Sequence, residues 1–219
     1  MRLCLFCSNS ANSVEDAWPL WITNQFRGRQ PSAVQAERAG IRLTSWNTHQ
    51  PKLTIRCVCE ECNNGWMSRL ENRVQPLLQP LLTGQRSAMD MDGQATIATW
   101  AVKTAMVLEG MDPAEKRGYS QLQRERFRLR AAIPERTSVW LAASTDLEWF
   151  MSTKNRHLGD TSADISGVSI TMAFAHAVLQ VFTIRVPETV GPETVVTANV
   201  RRGPWSEVTV PIWPHRTCR

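Results

Sequence analysis

Residues 59–68 decide the fold of this chain, and they read Cys59-Glu60-Glu61-Cys62-Asn63-Asn64-Gly65-Trp66-Met67-Ser68. They begin with the second of two Cys-x-x-Cys pairs; the first is Cys4-Leu5-Phe6-Cys7. The two-residue spacing lets both thiolates of a pair point at one metal ion, and two pairs complete a closed tetrahedral site of the structural type. The sequence therefore predicts that a structural zinc ion is bound by Cys4, Cys7, Cys59 and Cys62.

Two other interpretations of these cysteines stay open. They could be buried free thiols, or redox pairs, although a redox Cys-x-x-Cys normally opens a helix after a strand in a thioredoxin-like unit. The 51 residues between Cys7 and Cys59 exceed the spacing of a compact zinc ribbon, so we expect an inserted segment there. Cys57 and Cys218 are expected to take no part in the site.

The composition is that of a folded globular protein: of 219 residues, 42% are hydrophobic and 21% are charged. The apolar run at the N-terminus is too short for a signal peptide, and no run of about 18 to 20 apolar residues predicts a membrane span. We therefore expect a cytoplasmic protein with no membrane partner. In that reducing compartment, six cysteines favour metal binding over disulfides.

The chain is basic, with a formal net charge of +5 and an isoelectric point near 9.1. This charge suits a polyanion, and DNA is the partner that we expect, although charge alone does not identify one. A basic run is formed by Arg124, Arg126, Arg128 and Arg130. A solvated surface is its simplest interpretation, and phosphate contact is the alternative. No sequence pattern indicates the oligomeric state.

Turn-rich sequence between residues 83 and 93 predicts a boundary between a zinc module, residues 1–83, and an α+β domain, residues 84–219. The second domain is predicted to place its helices first and an antiparallel sheet after them. Periodicity predicts helices at 65–82, 94–110 and from Pro113 to beyond Phe127, and strands around 41–43 and at 52–58, 138–143, 168–178, 194–200 and 208–213. Residues 179–186 either continue the strand at 168–178 or pair with it. His176 falls in phase with the apolar positions of that strand, which predicts a core histidine.

Two motifs resemble the zinc-stapled branch of the HNH endonuclease superfamily. One is the acidic pair followed by an aromatic residue and proline in Glu15-Asp16-Ala17-Trp18-Pro19. The other, more specific, is the Cys59–Ser68 stretch quoted above. The resemblance covers residues 1–75 and implies a ββα-metal module, in which two strands and a helix hold a divalent cation against the scissile phosphate.

The resemblance assigns the catalytic roles to Glu15, Asp16, Asn63 and Asn64. Glu15 matches the carboxylate that holds Mg²⁺ or Mn²⁺, Asp16 matches the general base, and Asn63 or Asn64 matches the ligand at the head of the helix. The chain departs from the family at Asp16, where His is usual. An Asp with a pKa near 3.9 is a weaker base than a His near 6.5, so Asp16 is better suited to be a second metal ligand. His49 is the other candidate base.

Two main functional hypotheses follow. The first is an HNH-like, metal-dependent endonuclease that hydrolyses phosphodiester bonds in DNA. The alternative is a catalytically inactive zinc-binding module that binds nucleic acid or a protein partner, or serves only as a structural platform. They differ in geometry, because catalysis needs the Glu15 and Asp16 oxygens and an Asn63 or Asn64 amide oxygen to converge within about 5 Å on one open point.

Overall fold

A computed structural model describes residues 2–25, 32–38, 41–48, 53–114, 117–144, 151–160, 165–185 and 209–214. The fold class is α+β, as the sequence predicts, and the described strands pair antiparallel. His49, Cys218 and the predicted strand at 194–200 lie outside the described residues. In the described ranges, no helix is both long and apolar enough to cross a membrane.

Two small strand pairs form the first part of the chain. Strand β1 (Ser13–Asp16) pairs with β4 (Thr54–Val58), and β2 (Ser32–Arg38) pairs with β3 (Ile41–Thr48). A short helix, α1 (Leu20–Asn24), follows β1. The strand predicted at 52–58 is confirmed by β4, which delivers the chain directly to the second cysteine pair.

A nearly continuous helical segment follows β4. It consists of α2 (Glu60–Cys62), a wide turn at Asn63–Met67 and α3 (Ser68–Leu82). The segment kinks at Gly65, whose φ of −92° and ψ of −107° are not helical. The predicted helix is confirmed, because α3 buries one stripe of side chains that recur every four residues, namely Leu70, Val74, Leu78 and Leu82.

Helix α4 (Met91–Leu108) lies at the centre of the molecule. Asp90 caps it, because its Oδ1 accepts a hydrogen bond of 2.8 Å from the Gly93 N–H. From Ile97 to Leu108, every residue except Thr99 is buried. A helix that is buried on all sides places even its one basic residue, Lys103, inside the protein.

Helix α5 (Gln121–Arg130) begins later than the sequence predicts. The prediction started this helix at Pro113. In the structure Ser120 is the N-cap, with a capping box in which Ser120 Oγ accepts from the Gln123 N–H and Gln123 Oε1 accepts from the Ser120 N–H. The buried carboxylate of Glu109 accepts hydrogen bonds from the backbone N–H groups of Gly118 and Tyr119, and these bonds hold that segment outside a helix.

The C-terminal part of the described chain forms one antiparallel sheet of five strands. Their order is β6-β7-β8-β5-β9, with β5 at Thr137–Ala143, β6 at Met151–Asp160, β7 at Ile165–Phe174, β8 at Ala177–Arg185 and β9 at Thr209–Trp213.

The predicted single strand at 168–178 is wrong at its end, because a turn at Ala175 and His176 separates β7 from β8. His176 is therefore a half-buried turn residue and not a core histidine; its Nδ1 lies 2.9 Å from the Ser144 carbonyl oxygen.

The core joins the N-terminal elements to this sheet. The ring of Trp18, just after β1, meets the ring of Phe174 edge-on with centroids 5.0 Å apart, and Trp100 of α4 lies 6.0 Å from the same ring. Aromatic pairs at these distances prefer such tilted arrangements. The domain boundary between residues 83 and 84 stays a prediction.

Candidate metal centre

The four predicted cysteines converge. The Sγ atoms of Cys4, Cys7, Cys59 and Cys62 all lie within 4.8 Å of one another, with 3.5 Å between Cys7 and Cys59 and 3.8 Å between Cys7 and Cys62. A tetrahedron with Zn–S bonds of about 2.3 Å has sulfur–sulfur edges of about 3.8 Å. The cluster therefore has the size and the donor set for one metal ion such as zinc.

Local backbone geometry prepares each cysteine pair for a metal. Within the first pair the Phe6 N–H points at Cys4 Sγ at 3.4 Å, and within the second the Cys62 N–H points at Cys59 Sγ at 3.4 Å. Asn9 Nδ2 adds a long contact of 4.0 Å to Cys59 Sγ. These donors favour the thiolate form of sulfur, which is the form that binds metal.

The four sulfurs also perturb one another. The hydrogen bond from Cys62 is the main cause that lowers the pKa of Cys4 to about 4, and the same bond raises the pKa of Cys62. Cys4 is thus the thiol that ionises more readily, and a metal ion that displaces the remaining protons would complete the set of four thiolates.

Cys57 is close in sequence to the second pair but is not a member of the cluster. It is fully buried, and burial raises the pKa of its thiol to about 12. Its side chain packs towards Gly110, where an added Cβ would lie 3.2 Å from Cys57 Sγ. The prediction that Cys57 takes no part in the metal site agrees with this placement.

Trp66 joins the metal cluster to the helices. Its ring meets Phe6, which lies inside the first cysteine pair, with centroids 5.0 Å apart, and Phe127 of α5 with centroids 5.9 Å apart. Both contacts are edge-on, the arrangement that aromatic rings prefer. The first cysteine pair and α5 are therefore packed against the same indole.

A second polar cluster lies behind β1. The Lys103 Nζ donates to Glu15 Oε1 at 3.1 Å and to Glu71 Oε1 at 2.8 Å. The side chain of Lys103 has no exposed surface, that of Glu15 is 5% exposed and that of Glu71 is 23% exposed. We call these three residues the carboxylate–lysine cluster. It connects β1, α3 and α4 through a buried ammonium.

The charges of this cluster depend on one another. Burial raises the pKa of Glu15, and the nearby Lys103 ammonium opposes part of that rise. Burial of Lys103 disfavours its charge, but the carboxylates of Glu15 and Glu71 outweigh burial and raise its pKa above the ordinary value. Lys103 is therefore an ammonium at neutral pH, and it is the counter-ion of Glu15.

Asn63 connects the second cysteine pair to β1. Its Nδ2 donates to Ser13 Oγ at 2.8 Å and to the Val14 carbonyl oxygen at 3.2 Å. Asn64, the next residue, is exposed. Asn63 therefore lies against β1, with its amide nitrogen bound to the strand.

The acidic pair Glu15-Asp16 is divided between two faces of β1. Successive side chains of a strand point to opposite faces, so Glu15 faces the core and Lys103 while Asp16 faces away. In the part of the chain that the structure describes, the cysteine cluster is the one group of three or more His, Cys, Asp or Glu donors close enough for a single metal ion. The residues near Glu15 do not fit Mg²⁺ or Mn²⁺, because an ammonium already lies against the carboxylate and would repel a divalent cation.

Sequence reasoning missed Lys103 and Glu71. A signal was present, since Lys103 interrupts the apolar run from Ile97 to Leu108, and a charged residue in a helix buried on all sides needs a partner. The sequence did not indicate the partners of Lys103, because Glu15 is 88 residues away.

Comparison of the chain with protein-family models, curated proteins and solved structures gives no match.

Proposed function

We propose that this chain is a catalytically silent, zinc-stapled relative of HNH endonucleases that acts as a binding module. The observation that carries the proposal is the position of the Lys103 ammonium between Glu15 and Glu71, at 3.1 and 2.8 Å. In the resemblance, Glu15 is the residue that should hold the catalytic cation. Here its carboxylate is engaged by a cation that belongs to the protein.

The chemistry of Mg²⁺ supports this proposal. Mg²⁺ requires near-octahedral oxygen ligands at about 2.0–2.1 Å and keeps several bound waters. The Glu15 side chain is 5% exposed and faces a fully buried ammonium, so it offers neither the room nor the charge for a hydrated cation. Asp16 lies on the opposite face of β1 and lacks the imidazole that the family uses as a base.

The zinc ion has a structural role in this proposal. Four cysteine ligands leave no open coordination position for water or substrate. The ion would join the segment before β1 to the segment between β4 and α3, so that both sides of the β1–β4 pair are fixed at one point.

The nuclease hypothesis is the second candidate. The observation in its favour is that β1, β4 and the helical segment after Cys62 lie together, with Asn63 bound to β1. This arrangement resembles the two strands and helix of a ββα-metal module. Cleavage would require the Lys103 ammonium to leave Glu15, at the cost of a buried and unpaired carboxylate.

A nicking assay separates the two candidates. Purified zinc-loaded protein would be incubated with supercoiled plasmid and Mg²⁺ or Mn²⁺, together with the variants Glu15→Gln and Glu135→Gln. Glu135 is an exposed acidic residue in the turn before β5 and serves as the matched control. We expect no nicking above a no-protein control in any sample. Metal-dependent nicking that Glu15→Gln abolishes and Glu135→Gln keeps would refute the proposal in favour of the nuclease.

A further inference from the structure

A groove with a volume of about 650 Å³ runs between α3, the first turns of α4 and the end of α5. Its charged lining consists of Arg69, Arg73, Arg128, Arg130 and Asp92. We call it the arginine groove. Four arginines against one aspartate give it a positive charge, whereas the rest of the chain mixes acidic and basic residues. It lies outside both the cysteine cluster and the carboxylate–lysine cluster.

The arginines of the groove are not paired with carboxylates in the part of the chain that the structure describes. Among the described residues, Arg69, Arg128 and Arg130 have no ion-pair partner, and Arg73 donates to the neutral Thr96 Oγ1 at 3.1 Å. Arg124 of α5 differs from them, since it is buried and its NH2 group lies 3.0 Å from Glu109 Oε2. The guanidinium groups of the groove are therefore free to bind an anion from solution.

The spacing of the arginines fits a chain of anions better than a single one. Arg69 and Arg73 lie one helical turn apart on α3, about 6 Å along its axis. Arg128 and Arg130 come from α5, on the other side of the groove. Guanidinium is the side chain that best matches the geometry of phosphate, because it can donate two parallel hydrogen bonds.

The inner wall of the groove is apolar. Trp66, Leu70 and Phe127 contribute to it; Leu70 and Phe127 are themselves buried, and Trp66 is the aromatic residue whose ring is partly exposed. A partly exposed aromatic ring beside arginines is the arrangement by which proteins stack bases while they bind the phosphates that connect them. A volume of about 650 Å³ is in the range of small-molecule sites, which has room for a base and its neighbouring phosphates but not for a duplex.

We infer that the arginine groove binds a single strand of nucleic acid, with the phosphates on the arginines and a base against Trp66. The inference rests on the proposed function, since it names the partner of a module that binds without cutting. The groove is built by α3, α4 and α5, so the partner binds away from the carboxylate that the nuclease hypothesis uses.

A binding assay with matched variants tests this inference. A fluorescein-labelled 12-nucleotide single strand of mixed sequence would be titrated with the zinc-loaded protein, without added Mg²⁺ or Mn²⁺, and followed by fluorescence anisotropy. The groove variant is Arg69→Gln/Arg130→Gln. The control variant is Arg86→Gln/Arg126→Gln, which removes the same charge at two exposed arginines that do not line the groove.

The groove variant is expected to bind at least about tenfold more weakly than the parent chain, and the control variant about as tightly. The dependence of log K on log salt should become less steep by about 1.4 in the groove variant, because each lost phosphate contact on a single strand contributes about 0.7. A duplex of the same sequence and a mononucleotide should each bind more weakly than the strand.

Three results would overturn the inference: no binding of the single strand, an equal loss of affinity in both variants, or a mononucleotide that binds as tightly as the strand. None of these results bears on whether the protein nicks plasmid DNA. This inference can therefore fail while the proposal of a catalytically silent module stands. Conversely, nicking would overturn the silent module even if the groove binds the strand. The labelled strand should be recovered intact after the titration, which shows that the change in anisotropy reports binding and not cleavage.

Discussion

Replacement of Lys103 by Met tests whether the buried ammonium is the counter-ion of Glu15. At an effective dielectric constant of about 20, unit charges 3.1 Å apart attract by about 5 kcal/mol, part of which repays the desolvation of both groups. Met keeps the unbranched shape and most of the length of the side chain and removes its charge. The variant should therefore lose about 3–5 kcal/mol of the free energy of unfolding, the usual cost of leaving one partner of a buried pair uncompensated.

The loss should depend on pH, and the direction is set by Glu15. Burial raises the pKa of Glu15 in the folded state, and without Lys103 nothing opposes that rise. A folded state that holds its proton more tightly than the unfolded state is favoured at low pH and is progressively destabilised as the pH rises above the unfolded value of about 4.3. The stability lost by Lys103→Met should be smaller at pH 5 than at pH 8.

The assay is urea unfolding followed by tryptophan fluorescence, with zinc in all samples. The double variant Glu15→Gln/Lys103→Met removes both charges and should recover at least half of the stability that Lys103→Met loses. Arg126→Met, which removes an exposed cation, should change stability by less than about 0.5 kcal/mol. A cost below about 1 kcal/mol for Lys103→Met, or a double variant less stable than Lys103→Met alone, would refute the assignment.

Three further predictions follow from the described contacts. Metal analysis should find one zinc per chain, which Cys62→Ser loses and Cys57→Ser keeps. If both variants retain zinc, Cys62 is not a metal ligand. Asn63→Ala should lower the free energy of unfolding by about 1 kcal/mol through its lost bonds to β1, whereas the exposed Asn64→Ala should have little effect in the same denaturation experiment; equal effects would contradict this role. Gly118→Ala should lower the melting temperature and cost about 1–3 kcal/mol, because a Cβ there would lie 2.9 Å from a buried carboxylate oxygen, and an unchanged melting temperature would contradict it.

The cysteine cluster could be predicted because its information is local. The spacing within each pair fixes how two thiolates can point, and two pairs suffice for four ligands, so the wide separation between Cys7 and Cys59 did not matter. Helix α3 could be predicted for a similar reason, since its buried stripe repeats at helical spacing over several turns. Apolar residues of α4 also recur at helical spacing in the sequence, but in the structure its burial extends to nearly every residue from Ile97 to Leu108.

The carboxylate–lysine cluster could not be predicted because it depends on how three elements are rotated against each other. In the sequence, Glu15 is one of two adjacent acidic residues. Only the pairing of β1 with β4 determines that the Glu15 side chain faces the core. A one-residue change of register would turn Asp16 towards Lys103 instead. The sequence contains no signal for that choice.

The missed boundaries have local causes. Ala175 adopts a φ of 47° in the turn between β7 and β8, a conformation for which Gly or Asn is the usual signal, and the apolar alternation runs straight through it. The start of α5 was misplaced because Pro113 favours the first turn of a helix, whereas the bonds of the buried Glu109 to the following backbone delay it.

The cysteine cluster closes a long loop of chain at a single point. Because the entropy of loop closure grows only with the logarithm of length, doubling the stretch between Cys7 and Cys59 would cost about 0.6 kcal/mol more. The stretch contains the β2–β3 pair, whose bounds lie away from both ends of the loop. Sequence can therefore be inserted or exchanged in this stretch at small thermodynamic cost. A peptide or reporter grafted between β2 and β3 is expected to leave the geometry of the four cysteines unchanged.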